Sequence, residues 1–222
     1  MEIIQVETSL LNVERENIIQ TIYDLEVAGT NYFHIDVMDG KFVENDTNDK
    51  MREYSEYLKN ITNIPMNVHL MVEDVPAYVN SYLALEPNMI IFHIEACKTQ
   101  KEILEQIKYI KENNCKVGLS IKPTTPIEKI YEYLPYIHSV LVMTVEPGKG
   151  GQELLPETIE KIFNLNKFIY ENSYEVDIVV DGGINNETAK TVTDAGANKV
   201  VAGSYIINSG DYKEAIQKLK NI

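Results

Sequence analysis

The sequence predicts an α/β fold: a closed (β/α)8 or TIM barrel built from residues 1–222 as one domain. Three observations predict it. Eight short β-rich runs alternate with amphipathic segments and recur about 28 residues apart on average, close to the ~31 residues per unit of a ~250-residue barrel. Helix start and stop signals fall between the runs. No linker, low-complexity tract or composition shift marks a second domain, and a chain of this length buries a sizeable core without covalent staples. A doubly wound open sheet would also alternate strand and helix, but it needs a crevice at a strand-order reversal.

In chain order, the runs begin near Glu2, Asn31, Met66, Asn88, Cys115, His138, Val176 and Lys199. Ala28-Gly29 closes the first amphipathic segment, because glycine takes the left-handed conformation at a helix end at little cost. After the fifth run, "TPIE" (125–128) offers Thr125 at the N-cap, proline at the first helical position and glutamate at the third, which predicts a capping box. Ala195-Gly196 closes the segment before the last run.

The chain carries 20 Lys+Arg against 34 Asp+Glu, a net charge of −14. That balance opposes the counterion release that drives binding to nucleic acid or anionic lipid, so neither is an expected partner. Cys97 and Cys115 form no CxxC pair and read as buried, reduced thiols, which suits a reducing compartment. The opening "MEIIQVETSLLNVERE" puts an acid at position 2, unlike a basic apolar leader, and no apolar run approaches the ~20 residues of a membrane span. A soluble, cytoplasmic protein is expected.

In such a barrel the working residues sit at the C-terminal ends of the strands. His34, His69 and His93 fall there, whereas His138 sits near the start of its run. Any one of them could be a core histidine with satisfied hydrogen bonds, so their neighbours carry the argument. In "FHIDVMDG" (33–40), His34 and Asp36 are two apart and project from one face of a strand. His69 on the third run and Asp181 in "VVDGGI" on the seventh can join them inside the barrel. Two imidazoles and two carboxylates suit one divalent metal ion; Zn2+, Fe2+, Mn2+ and Co2+ are all compatible, since no thiolate narrows the choice. The competing reading makes Asp36 and Asp181 barrel-mouth carboxylates that accept loop N–H bonds, and it leaves a buried polar cluster without a cation.

The stretch "TVEPGKGGQ" (144–152) sets Gly148, Gly150 and Gly151 directly after the sixth run. It lacks the Lys-Ser/Thr ending of a Walker loop and the third glycine of a dinucleotide fingerprint. Gly182 and Gly183 follow the seventh run, and Gly203 and Ser204 follow the eighth. Clustered glycine N–H groups at these loops form an anion nest, where this fold often binds phosphate. Lys149 either adds a cation there or is a solvated loop-tip lysine.

Together "SLL", "HIDVMDGKFV", "VHLM", "FHIEA", "KPTTP", "VLVMTVEPGKGGQ", "VDGGIN" and "VAGS", in this order, resemble the ribulose-phosphate 3-epimerase family over nearly the whole chain. The resemblance implies a divalent metal held by His34, Asp36, His69 and Asp181, and a small phosphorylated sugar as substrate. It implies substrate or phosphate contacts from Ser9, His69, Gly148, Lys149, Gly150, Gly151, Gly182, Gly183, Gly203 and Ser204. Met38, Met71 and Met143 match methionines that line the family's site, with ordinary core packing the alternative for each. The implied reaction inverts C3 of D-ribulose 5-phosphate to give D-xylulose 5-phosphate through an enediolate, Asp36 accepting the proton and Asp181 donating one on the opposite face. The family also implies a homo-oligomer.

Three departures bear on the substrate. The 44–50 stretch "ENDTNDK" differs from the family pattern beside the pocket, Lys149 stands where an aromatic residue is usual, and Asn67 stands where an aspartate is usual. Asn67 shares a strand face with His69, either as an altered partner of a metal ligand or as a buried amide with structural bonds. The nearest alternative, which the altered 44–50 stretch favours, is a 3-epimerase of another ketose phosphate such as allulose 6-phosphate. An orotidine-phosphate type decarboxylase would need Asp-x-Lys-x-x-Asp, which is absent, and a non-catalytic phosphate binder would not need two carboxylates.

Overall fold

The computed structural model describes residues 4–222. Its parallel strands are β1 (Gln5–Ser9), β2 (Tyr32–Met38), β3 (Met66–Met71), β4 (Met89–His93), β5 (Lys116–Ile121), β6 (Ser139–Met143), β7 (Asp177–Asp181) and β8 (Lys199–Ala202). They close into a barrel in chain order, β1 pairing with both β2 and β8. From β2 onward each strand starts within one residue of its expected position. The expected start near Glu2 lies outside the described residues. Helices α1 (Ile18–Ala28), α2 (Asn48–Ile61), α3 (Val75–Leu83), α4 (Gln100–Glu112), α5 (Thr158–Glu171), α6 (Asn186–Asp194), α7 (Ser204–Ile207) and α8 (Tyr212–Lys220) surround it.

Strands covered on both faces are apolar on both, and where polar residues break that pattern they mark the site. On β2, Phe33, Ile35 and Val37 join the core between barrel and helices. The alternate residues His34, Asp36 and Met38 face the barrel interior, and all three are buried. The interior is divided. Met89, Ile91, Leu141, Met143, Val145, Val179 and Val201 form an apolar cluster from β4, β6 and the loop after it, β7 and β8. Glu7, His34, Asp36, Asn67, His69 and His93, all buried, occupy the side built by β1 to β4.

Gly29 ends α1 at φ 89°, its N–H bonding the Leu25 and Glu26 carbonyls, as expected of Ala28-Gly29. Gly196, at φ 116°, follows the right-handed cap residue Ala195 of α6. The capping box expected at 125–128 does not form. Pro126 precedes a 3-10 segment, Ile127–Tyr136, with no side-chain cap, and the Thr125 hydroxyl donates to Glu95 instead. A hydrogen bond to a partly buried carboxylate outweighs a neutral cap, and Pro135 inside the segment removes a helical N–H. A reciprocal box occurs at α6, between Asn185 and Thr188. Of the two free cysteines only Cys115 is buried; Cys97, in the more open turn after β4, is half-buried. No helix among the described residues is long and apolar enough to cross a membrane.

Candidate active site

Adjacent strands bring the first three site residues together, since the register pairs Asp36 of β2 with His69 of β3. Asp181, the last residue of β7, reaches the same point from across the barrel. His34, Asp36, His69 and Asp181 each offer one donor atom, and these atoms all lie within 4.8 Å of one another. Asp36 Oδ1 is 3.4 Å from both His34 Nε2 and His69 Nδ1. Asp181 Oδ2 is 3.9 Å and 3.6 Å from the same two nitrogens. Ligands ~2.1 Å from one ion lie roughly 3–3.5 Å apart, so the set needs only a slight contraction to bind one.

His34 Nε2 and His69 Nδ1 are buried and have no hydrogen-bond partner. Two orphaned ring nitrogens aimed at two carboxylates fit a metal, because a buried polar atom left unmatched is otherwise unfavourable. The opposite ring nitrogens are engaged. His34 Nδ1 lies 2.9 Å from Glu7 Oε2. His69 Nε2 is 3.0 Å from His93 Nε2, and His93 Nδ1 is 3.2 Å from Glu95 Oε2. With the His69 Nδ1 lone pair facing the cluster, its Nε2–H donates to His93, which passes its own Nδ1–H to Glu95. Glu95 also accepts the Lys122 N–H at 2.8 Å and the Thr125 hydroxyl, tying the loop after β5 to this relay.

The electrostatics agree with a cation site. Burial disfavours a charged imidazole at His34, but Asp36, Glu7 and Asp181 outweigh it and raise its pKa well above the ordinary value. Burial pushes Asp36 up, and the neighbouring His34 and His69 more than reverse this, holding its carboxyl below the usual range. The carboxylates that favour a charged imidazole here would favour a bound cation at the same point. His93 responds in the opposite sense: burial lowers it to about 4.

Above the cluster lies a cleft of about 70 Å³, with Asp36 and Asp181 on its wall. Ser9 lines it as well, and the Ser9 hydroxyl donates to Asp36 Oδ2 at 2.6 Å. Met38, Met71 and Met143 supply apolar wall. Gly148, Gly150 and Gly151 after β6, Gly182 and Gly183 after β7, and Gly203 and Ser204 after β8 border the same cleft. Gly183 needs to be glycine: its φ is +67° and an added Cβ would sit 2.4 Å from the Leu154 backbone nitrogen. Lys149 also borders the cleft, on an exposed loop tip. His34 and His69 lie fully buried, outside the cleft lining.

Four contributors escaped sequence reasoning. Glu7 sits two residues before Ser9 on one strand face, and that period-two spacing is the signal that could have revealed it. Glu95 follows His93 by two, but a 3-10 turn, Ile94–Ala96, rather than a strand brings its carboxylate back onto the ring. Thr47 and Asn45 lie in the divergent 44–50 stretch. The Thr47 hydroxyl donates to the Asp36 carbonyl at 2.6 Å and accepts the Met38 N–H at 3.0 Å, pinning the end of β2. Asn45 Nδ2 donates to the Gly148 carbonyl at 2.6 Å, joining the β2 and β6 loops.

Residues 5–207 match the Ribulose-phosphate 3 epimerase family. The ribulose-phosphate 3-epimerase of Methanocaldococcus jannaschii is 40% identical, over 98% of this chain and 90% of that protein. That of Bacillus subtilis is 35% identical over 98% of each chain. Among solved structures, 3-hexulose-6-phosphate synthase superposes with a TM-score of 0.72 over 98% of both chains at 13% identity, a likeness of fold alone. The chain thus belongs to the ribulose-phosphate 3-epimerase family, isomerases that act on carbohydrate phosphates.

Proposed function

We propose that this protein interconverts D-ribulose 5-phosphate and D-xylulose 5-phosphate by moving the C3 proton between two carboxylates. The observation that carries the reading is the placement of Asp36 and Asp181. They come from β2 and β7, both line one cleft, and both face the same imidazole pair. Inversion needs removal of a proton from one face of a planar intermediate and delivery to the other, which two opposed carboxylates provide.

His34, Asp36, His69 and Asp181 are the residues that would hold a divalent metal, which when bound would stabilise negative charge developing on the C2 and C3 oxygens. Asp36, kept ionised by the two imidazoles and oriented by Ser9, accepts the C3 proton of D-ribulose 5-phosphate. Asp181 donates from the opposite face. In the reverse direction the roles exchange. The methionine wall keeps water from the reacting carbon, and the glycine segments after β6, β7 and β8, with the start of α7, receive the phosphate through backbone N–H groups. That local site explains how a chain of net charge −14 takes an anionic substrate.

The relatives named as ribulose-phosphate 3-epimerases favour a pentulose over a hexulose, and the divergent 44–50 stretch meets the β6 loop through Asn45, bonded to the Gly148 carbonyl. A panel of pentulose and hexulose phosphates, scored by conversion and by C3 deuterium uptake with Mn2+, Zn2+, Fe2+ or Co2+ supplied, tests this. D-ribulose 5-phosphate should lead in kcat/KM, and chelation should abolish conversion. A lead for allulose 6-phosphate would reassign the substrate, and full activity in excess chelator would remove the metal.

A further inference from the structure

The two imidazoles of the cluster are supported unequally. His69 leans on a neutral ring, His93, whereas His34 leans on a carboxylate. That carboxylate, Glu7, has no exposed surface. Its two oxygens are divided: Oε2 lies 2.9 Å from His34 Nδ1 and Oε1 accepts Asn67 Nδ2 at 2.8 Å. The Asn67 amide cannot reverse, because its Oδ1 accepts Asn88 Nδ2 at 2.7 Å. A chain of side chains therefore runs from Asn88 through Asn67 and Glu7 to His34.

A space needing only to be filled would take an apolar residue, since a buried carboxylate requires matched partners. Glu7 has two, and one is a proposed metal ligand. A ring nitrogen that donates to a carboxylate has a fixed tautomer, and its far nitrogen is a better electron-pair donor. Asn67 completes the logic. An aspartate at 67 would set a second negative oxygen against Glu7 Oε1, so the amide at 67 and the acid at 7 belong together. We propose that Glu7 is a positioning residue of the active site: it accepts the Nδ1–H of His34, so that the His34 Nε2 lone pair is aimed at the point shared with Asp36, His69 and Asp181, and Asn67 keeps Glu7 in place. This rests on the metal reading above.

Co2+ titration followed by visible absorption tests it on the whole chain, with melting measured on metal-free protein as the folding control. Glu7→Gln keeps shape and removes the charge, and Co2+ affinity should fall ~10–100-fold, the usual effect of losing such a partner. His34 and Asn67 are register partners on β2 and β3, so Glu7→Gln/Asn67→Asp returns a carboxylate beside His34. The double variant should recover at least ~10-fold of the lost affinity. A space-filling role alone predicts altered melting, unchanged Co2+ affinity and no recovery. Glu7→Gln binding Co2+ within about threefold of wild type would overturn the proposal, as would a double variant no better than the single one. Should Glu7→Gln not fold, long-range 1H–15N spectra of the Zn2+-loaded wild type decide. A proton on His34 Nδ1 supports the assignment, and its absence overturns it. Wild-type chain that takes up no Co2+ would refute the metal reading itself, separately from Glu7.

Discussion

Asp181→Asn should separate proton exchange from epimerisation. If Asp36 and Asp181 each serve one face of the intermediate, removing Asp181 blocks delivery on its face and leaves abstraction on the other. Asp36 keeps its Ser9 bond at 2.6 Å and its two imidazoles at 3.4 Å, since none of these depends on position 181. Conversion of D-ribulose 5-phosphate should fall ~10²–10⁴-fold, about 3–5 kcal/mol of barrier. Deuterium uptake at C3 of recovered D-ribulose 5-phosphate should persist within about tenfold of the wild-type rate. The assay is NMR in D2O under saturating Mn2+, with bound metal measured for each variant because both carboxylates are proposed ligands. Asp36→Asn should show the mirror image, exchanging D-xylulose 5-phosphate without converting it. Parallel loss of exchange and conversion in metal-loaded Asp181→Asn would refute the two-base scheme. Exchange from xylulose but not ribulose phosphate in that variant would reverse the two roles.

Gly183→Ala forces a left-handed alanine against Leu154, which should cost about 1–3 kcal/mol and lower the melting temperature roughly 3–10 °C; unchanged melting would contradict the close approach of the β6 and β7 loops. Lys161 donates to the Lys122, Pro123 and Thr125 carbonyls at 3.0, 2.6 and 2.7 Å, so Lys161→Met should destabilise by about 1–3 kcal/mol in urea unfolding, and an unchanged midpoint would show the clamp to be dispensable. His93 should shape the acid limb of stability. Its pKa is about 4 when folded against an ordinary 6.5, so the unfolded chain takes up the proton first as pH falls. Its contribution is complete above pH 6.5 and is lost toward pH 4, on the order of 3 kcal/mol. Urea midpoints of wild type and His93→Asn at both ends of that window should converge at the acid end; a constant difference would mean that His93 is not held neutral by burial.

The barrel was legible because its determinants are periodic. Eight evenly spaced apolar runs leave few ways to close a sheet, and the inward face of β2 names itself by setting His34 and Asp36 two apart among apolar residues. The convergence of His34, Asp36, His69 and Asp181 followed from the same rule applied to β3 and β7. What stayed hidden depends on turns and on competition between acceptors. Thr125 looked like a helix cap because its neighbours suit one, yet Glu95, thirty residues earlier, claims the hydroxyl, and no local pattern announces that distant acceptor. Glu95 itself reaches His93 only because the chain makes a 3-10 turn after β4.

Glu7 is the instructive middle case. It shares its strand face with Ser9, so the spacing was visible, but an acid in "QVETS" has no evident partner until His34 and Asn67 are known to surround it. Its burial changes the electrostatic problem of the site. Glu7, Asp36, Asp181 and Glu95 all approach the imidazoles His34, His69 and His93, and a sugar phosphate brings still more negative charge. In the proposed reading the glycine loops meet the phosphate beyond the strand ends, whereas the carboxylates gather at the reacting carbon. A cation held by His34, Asp36, His69 and Asp181 would balance that end of the cleft. The acids that would repel the substrate would then be the ones that hold its counter-charge and move its proton.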